Sequence, residues 1–296
     1  MTEDGSQALA DVLSLLDLEK IEEDIFRGAS QTHRLARVFG GQVLGQALAA
    51  ASRTVDPSRI CHSFHAYFLR AGDPKLPILY EVDRARDGKS FTARRVVAIQ
   101  HGRQIFNFAA SYQLIEPGFE HQFEMPDVPP PEALADEGEA RRQEAETFPS
   151  PFREWAARAR PFETRPVILE PLGDRTPRAP YDHVWFRAAG RVPNDLTVAQ
   201  ALLAYASDMS LLRTSLLPHG KGILSAVQMA SLDHAMWFHR PFSFDDWLLY
   251  AQDSPSASGA RGFSRGSVFT RDGKLVASVA QEGLIRPRGG DIANVS

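Results

Sequence analysis

An α+β fold in two similar halves is what this sequence predicts. Three observations carry that expectation: an apolar helix followed by alternating strands occurs twice, a proline-rich stretch separates the two runs, and His101-Gly102 and Asp272-Gly273 offer hairpin turns at corresponding places.

The elements follow in order. Ser6 can cap a short helix whose Leu9, Val12, Leu13 and Leu16 recur at i, i+3, i+4 and i+7. A second helix should open at the paired glycines of FGGQVLGQALAAAS (39–52), and strands should follow in HSFHAYFL, PILYEVDRAR, SFTARRVVAIQ and QIFNFAASYQ. In the last of these, Phe106, Phe108, Ala110 and Tyr112 occupy alternate positions, as a strand with one buried face requires. The second half repeats the order with a long helix over 196–212, then SLDHAMWFHR, WLLYAQDS, ARGFSRGSVFTR and LVASVAQEGLI. Arg70 and Tyr80 in the first half are spaced like Arg240 and Tyr250 in the second, with Ile-Leu-Tyr answering Leu-Leu-Tyr. A helix and a four-strand meander, each given twice, describe a double hot dog whose sheets pair edge to edge, protecting two exposed edges.

Twelve of the 20 prolines fall between positions 116 and 180, beside the charged run EALADEGEARRQEAE. That composition marks a connection with one surface helix. The expected division is therefore an N-terminal hot-dog domain over 1–116, a linker over 117–160 and a C-terminal hot-dog domain over 161–296. A length of 296 residues agrees with about two domains.

Composition excludes several function classes. With 33 Lys plus Arg against 37 Asp plus Glu, a net charge of −4 offers no general attraction to nucleic acid or an anionic membrane. Cys61 is the single cysteine, which rules out an intrachain disulfide and a multi-cysteine zinc site and fits a reducing compartment. The acidic start MTEDGSQALADVL does not read as a signal peptide, no run of about 18 apolar residues occurs, and the terminal ANVS is not a peroxisomal tripeptide. A cytoplasmic protein with no membrane partner is expected.

Asp208 is the residue that asks for a function. On the expected helix its neighbours at three and four positions are Ala204, Tyr205, Leu211 and Leu212, so the carboxylate shares an apolar face. Desolvation there demands hydrogen-bond partners or a raised pKa, and either condition suits a general base; a buried, merely structural Asp is an equal possibility on this feature alone. Ser231 and Gln281 each sit on expected strands, Gln281 on the face of Ala277 and Val279. Each taken singly reads as a satisfied polar residue.

The strings FGGQVLGQAL, HSFHAYFLRAGD, RDGKSFTARRV, YASDMSLL, SLDHAMWFHRP, SASGARGF and VAQEG stand in the order and spacing of the thioesterase II (TesB-like) acyl-CoA thioesterase family. The chain resembles that family from about residue 8 to residue 286, the proline-rich joint least. The resemblance implies a double hot dog that hydrolyses acyl-CoA to free fatty acid and CoA without a cofactor, as a homo-oligomer, a dimer or tetramer of such protomers. It also implies that Asp208, Ser231 and Gln281 hold the nucleophilic water, with Ser at a position where many bacterial members have Thr. Asp208 would take the proton, Ser231 and Gln281 would orient the water, and Gly40 and Gly41 at a helix N-terminus are candidate oxyanion donors, close packing being the equal alternative.

Other polar residues carry less. His62 and His65 are expected on opposite strand faces, as are Asp233 and His234, so neither a metal site nor a Ser231-Asp233-His234 triad is expected. Arg70, Arg94, Arg240, Arg261 and Arg265 could meet CoA phosphates, but most of them read as solvated strand faces. Two alternatives to a thioesterase stay open on the same scaffold: a non-catalytic acyl-CoA binding protein, and an enoyl-CoA hydratase. The second needs a His within a few residues of the Asp, whereas the next His here is His219. The corresponding helix of the N-terminal half, VLGQALAAAS, carries Gln46 and no acid, which points to one reaction centre per chain, in the C-terminal half.

Overall fold

The computed structural model describes residues 3–31, 37–146, 152–221 and 225–288; the C-terminal ANVS lies outside them. Helix α1 (Glu3–Leu16) leads to a hairpin of β1 (Glu19–Glu22) and β2 (Ile25–Gly28), then to α2 (Gly40–Ser52). Strands β3 (Arg59–Phe68), β4 (Ile78–Asp87), β5 (Phe91–Gln100) and β6 (Arg103–Leu114) complete the first half. The connection holds α3 (Glu137–Ala145) and α4 (Phe152–Ala157), two helices where one was expected. The second half comprises β7 (Phe162–Pro166), β8 (Tyr181–Ala188), α5 (Leu196–Ser207), a 3₁₀ segment (Leu211–His219), β9 (Val227–Ser231), β10 (Asp233–Phe238), β11 (Leu248–Ser258), β12 (Arg261–Thr270) and β13 (Leu275–Pro287).

The thirteen described strands form one sheet in the order β1-β2-β4-β5-β6-β3-β10-β13-β12-β11-β8-β7, with β9 also on β13. The order mirrors itself about the β3–β10 contact, where Asp233 to Trp237 pair antiparallel with Tyr67 to Ser63. Edge-to-edge pairing is thus as expected, and the junction removes one exposed edge from each half.

The expected four-strand meander needs correction. In each half only three strands run consecutively; β3 lies beside β6 and β10 beside β13, never beside their successors in sequence. Local alternation cannot reveal this, because pairing partners are chosen by where the chain returns after a long connection. The short strands β1, β2, β7 and β8, which extend both outer ends, were not expected either.

Both central helices are wrapped by the sheet. Every residue of α2 from Gly41 to Ala51 is buried, and α5 is buried from Ala199 to Ser207. Small residues make this possible: a Cβ on Gly41 would lie 2.3 Å from the Tyr205 carbonyl oxygen, so the helices cross with backbone against backbone. A single apolar cluster draws Leu9 and Val12 of α1, Leu44 and Leu48 of α2, Leu202 and Leu203 of α5 and strand residues of both halves into one core.

Ser6 does not cap α1, which begins earlier at Glu3; its hydroxyl donates to the Ala189 carbonyl at 3.0 Å and ties the helix to the second half. The proline-rich connection straps the outer face of the second half. Trp185, Trp247, Leu249, Phe269 and Leu275 form a second cluster there, covered by Met125, Val128 and Leu134, and the Trp185 indole donates to Pro129 O at 2.9 Å.

Candidate functional site

Helix α5 is capped by Asp195, whose carboxylate accepts from the Thr197 and Val198 amides, and its far end creates the site. The helix was expected to run to 212 but stops at Ser207, leaving Asp208 as the C-cap residue rather than a mid-helix one. Two contacts explain the stop. The Tyr250 hydroxyl donates to Ser207 O at 3.1 Å, and the Ser207 hydroxyl folds back to within 2.9 Å of Ala204 O. Periodicity misses this because Leu211 and Leu212 continue the apolar spacing in the following 3₁₀ segment.

The break turns Asp208 towards the start of α2. Phe39, the N-cap of α2, has no side chain able to cap it, and the Asp208 carboxylate instead accepts the Gly41 N–H. A carboxylate at the C-terminal end of its own helix is disfavoured by that dipole, and the N-terminus of α2 compensates it. Gly40 must be glycine for the same reason: a Cβ there would stand 2.6 Å from Asp208 Oδ2 and 3.1 Å from the Phe68 ring.

Two strands complete the group. The Gln281 Nε2 on β13 donates to Asp208 Oδ1 at 2.7 Å and to Ser231 Oγ at 2.8 Å, while Ser231 Oγ donates to Asp208 Oδ1 at a long 3.4 Å. Ser231 ends β9 rather than opening a strand; it pairs with Gly283, which places its hydroxyl two residues along from Gln281. Burial pushes the Asp208 carboxyl up to about 6, against the lowering effects of Gln281, the Gly41 N–H, Ser231 and the nearby Arg37 guanidinium. Of the expected site residues, Asp208, Ser231, Gln281, Gly40 and Gly41 are therefore brought together.

Beside them lies a cavity of about 290 Å³, at the lower end of the size range of small-molecule sites. Phe39, Tyr205 and Met209 line it next to Asp208, Phe162, Phe186 and Tyr250 continue it as an aromatic wall, and Arg37, Arg141, Arg158, Arg160, Arg213 and Glu137 make the rest of its lining strongly charged. From sequence, Tyr205 is named as a neighbour of Asp208 and Tyr250 as a repeat position, but none of these residues is given a place in a site. Phe162 and Phe186 lie on the unexpected strands β7 and β8, and Arg37 carries no periodic signal.

The remaining expectations resolve individually. A bulge between Cys61 and Ser63 breaks the alternation of β3, so His62 reaches Ser111 at 2.8 Å on the same outer face as His65; the expected opposition of these two is incorrect. Among the described residues no group of three His, Cys, Asp or Glu side chains is arranged for a metal. Arg94 is buried rather than solvated, held by Thr54 and Asp87, whereas Arg261 pairs with Glu282 and Arg265 with Asp253 at the surface. Arg70 and Arg240 donate to the carbonyls of Gln104 and Leu275. The residue just past α2, where Asp208 stands past α5, is Arg53.

Residues 29–113 match a family described as the acyl-CoA thioesterase N-terminal domain, and residues 153–284 match one described as acyl-CoA thioesterase. Acyl-CoA thioesterase 2 of Haemophilus influenzae is 45% identical over 282 residues, 95% of this chain and 99% of that protein. This chain belongs to the thioesterase II (TesB-like) acyl-CoA thioesterase family. Human acyl-coenzyme A thioesterase 8 is 44% identical over 93% of this chain and 88% of its own length. A crystal structure of the acyl-CoA thioesterase II TesB2 from Mycobacterium marinum superposes with a TM-score of 0.78 at 42% identity, covering 94% of this chain and 99% of that one. A hot-dog protein of Alicyclobacillus acidocaldarius, 18% identical with a TM-score of 0.74 over 94% of this chain and 98% of its own, shares the fold. The α+β double hot-dog class holds, and no described helix is long and apolar enough to cross a membrane.

Proposed function

We propose that this chain hydrolyses fatty acyl-CoA to free fatty acid and CoA, with Asp208 as general base for the attacking water. The observation that carries the reading is the convergence of Asp208, Ser231 and Gln281 from a helix end and two strands, beside an aromatic cavity. A carboxyl held near 6 is mostly ionised at neutral pH yet more basic than an ordinary Asp, as a proton acceptor requires. Water donating to Asp208 attacks the thioester carbon, its proton passes to the carboxylate, and collapse of the tetrahedral intermediate expels CoA thiolate, which regains a proton.

Gln281 has only two amide hydrogens and spends them on Asp208 and Ser231, so it orients the water chiefly by fixing those two. Gly41 already gives its N–H to Asp208, which leaves Gly40, at the first position of α2, as the oxyanion donor of this mechanism. The aromatic cavity takes the acyl chain. The hydratase alternative lacks support, since His219 is exposed at the end of the 3₁₀ segment. A binding protein leaves the three-residue arrangement without a task. The division at 1–116, 117–160 and 161–296, cytoplasmic residence and homo-oligomeric assembly belong to the same proposal, supported by the mirrored sheet order for the first and by the family resemblance for assembly.

Release of CoA thiol from acyl-CoAs of several chain lengths tests it. Asp208→Asn is expected to lose roughly 10²- to 10⁴-fold in kcat while remaining folded. Turnover by the folded variant equal to wild type removes Asp208 as base, and acyl-CoA binding without turnover by wild type establishes the binding-protein alternative.

A further inference from the structure

His234 takes no part in the mechanism above, yet it is fully buried and directly across the sheet from Gln281. The β10–β13 register pairs Ala235 with Ala280 and Met236 with Val279, so one step further sets His234 opposite Gln281. Opposed residues on antiparallel strands hold their Cβ atoms roughly 5 Å apart, within reach of a direct hydrogen bond.

Two buried polar atoms at this place have no hydrogen-bond partner in the structure: Nδ1 of His234 and Oε1 of Gln281. The other ring nitrogen, Nε2, lies 3.0 Å from the Ser207 hydroxyl, which is also 2.9 Å from Ala204 O. Only two neutral tautomers exist. If Nε2 carries the proton, Nδ1 presents a lone pair to the lone pairs of Gln281 Oε1, leaving two buried acceptors unsatisfied. If Nδ1 carries it, Nδ1–H donates to Gln281 Oε1 and the Ser207 hydroxyl turns its single proton from Ala204 O to Nε2, so one side-chain contact is given up where the other tautomer leaves two acceptors unsatisfied.

We propose that His234, through an Nδ1–H donated to Gln281 Oε1, is a positioning residue that locks the Gln281 amide with its nitrogen towards Asp208 and Ser231. An amide can rotate by half a turn at little steric cost, and the flipped form sets its oxygen 2.7 Å from Asp208 Oδ1. That arrangement repels the ionised carboxylate and withdraws the donor from Ser231. The tie to Ser207 anchors the relay to the last residue of α5, next to Asp208 itself. Burial holds the imidazole well below its ordinary value, at about 3, so it stays neutral and keeps a single tautomer across the working pH range. Four groups in series, Ser207, His234, Gln281 and Asp208, thereby connect the helix end to the strand that faces it.

The proposal rests on Asp208 being the base, and its test separates the two. His234→Phe keeps an aromatic ring but no donor; His234→Asn places an amide nitrogen where Nδ1 stands. In His234→Phe, kcat is expected to fall roughly 10²-fold with KM little changed, and the acid limb of the kcat profile should move to higher pH, because a flipped Gln281 disfavours the charged carboxylate. His234→Asn should recover most of the lost kcat and return the limb towards the wild-type position. Imidazole ¹⁵N shifts of the wild-type protein, assigned by difference with His234→Asn, should show the Nδ1–H tautomer; this readout stands even where His234→Phe does not fold. An Nε2–H tautomer, equal impairment by Phe and Asn, or an unmoved acid limb overturns the relay. Full activity in Asp208→Asn instead overturns the base assignment on which it rests.

Discussion

Replacing Asp208 by Asn should cost activity and add stability, and the second effect can be worked out from the structure. In the folded chain burial raises this carboxyl from 3.8 to about 6. The folded state therefore binds the proton more tightly than the unfolded state does, and ionisation opposes folding. The penalty is absent below about pH 4, develops as pH rises through the interval to about 6, and is complete above it, where it amounts to about 3 kcal/mol. Asn removes the charge and, like the protonated carboxyl, presents one carbonyl oxygen to the donors Gln281 and Gly41. Thermal unfolding of wild type and Asp208→Asn, followed by fluorescence or calorimetry from pH 4 to pH 8, should give coincident midpoints at pH 4. By pH 8 the variant should unfold higher by about 6 °C, taking roughly 2 °C per kcal/mol for a chain of this size. A variant less stable than wild type at pH 8, or a difference that does not grow with pH, refutes the reasoning that Asp208 is held ionised against its surroundings. Gain in stability with loss of kcat is the signature of a residue kept for chemistry.

Three further outcomes are expected. The wild-type kcat/KM, measured by thiol release, should rise through about pH 6 as Asp208 loses its proton, and a profile flat down to pH 4.5 contradicts the assignment. Ser231→Ala should lower kcat by roughly tenfold or more while Ser231→Thr stays within a few-fold of wild type, since only the hydroxyl meets Gln281 and Asp208; equal rates for Ala and wild type remove Ser231 from the site. Gly40→Ala forces a Cβ against Asp208 Oδ2, so kcat should drop by roughly tenfold or more at unchanged secondary structure by circular dichroism, and a fully active variant shows that the carboxylate position is not critical.

The sequence by itself determined the fold class, both central helices, the strands of each half from β3 to β6 and β10 to β13, and the site residues that the family resemblance carries. These are legible because local periodicity and turn chemistry are written in neighbouring residues. Tertiary structure decided what depends on distant pairing. It placed β3 against β6 and β10, added β7 and β8 with the aromatic cavity wall, and turned His62 outward at a bulge. It also ended α5 at Ser207, through a hydroxyl that Tyr250 brings from another strand, and so moved Asp208 from a helix face to the gap between two helix ends. A carboxylate's chemistry is set by which donors surround it, and here each donor comes from a different element. Gly41 is the second residue of α2, Ser231 ends β9 and Gln281 lies within β13, the last facing His234 across the sheet.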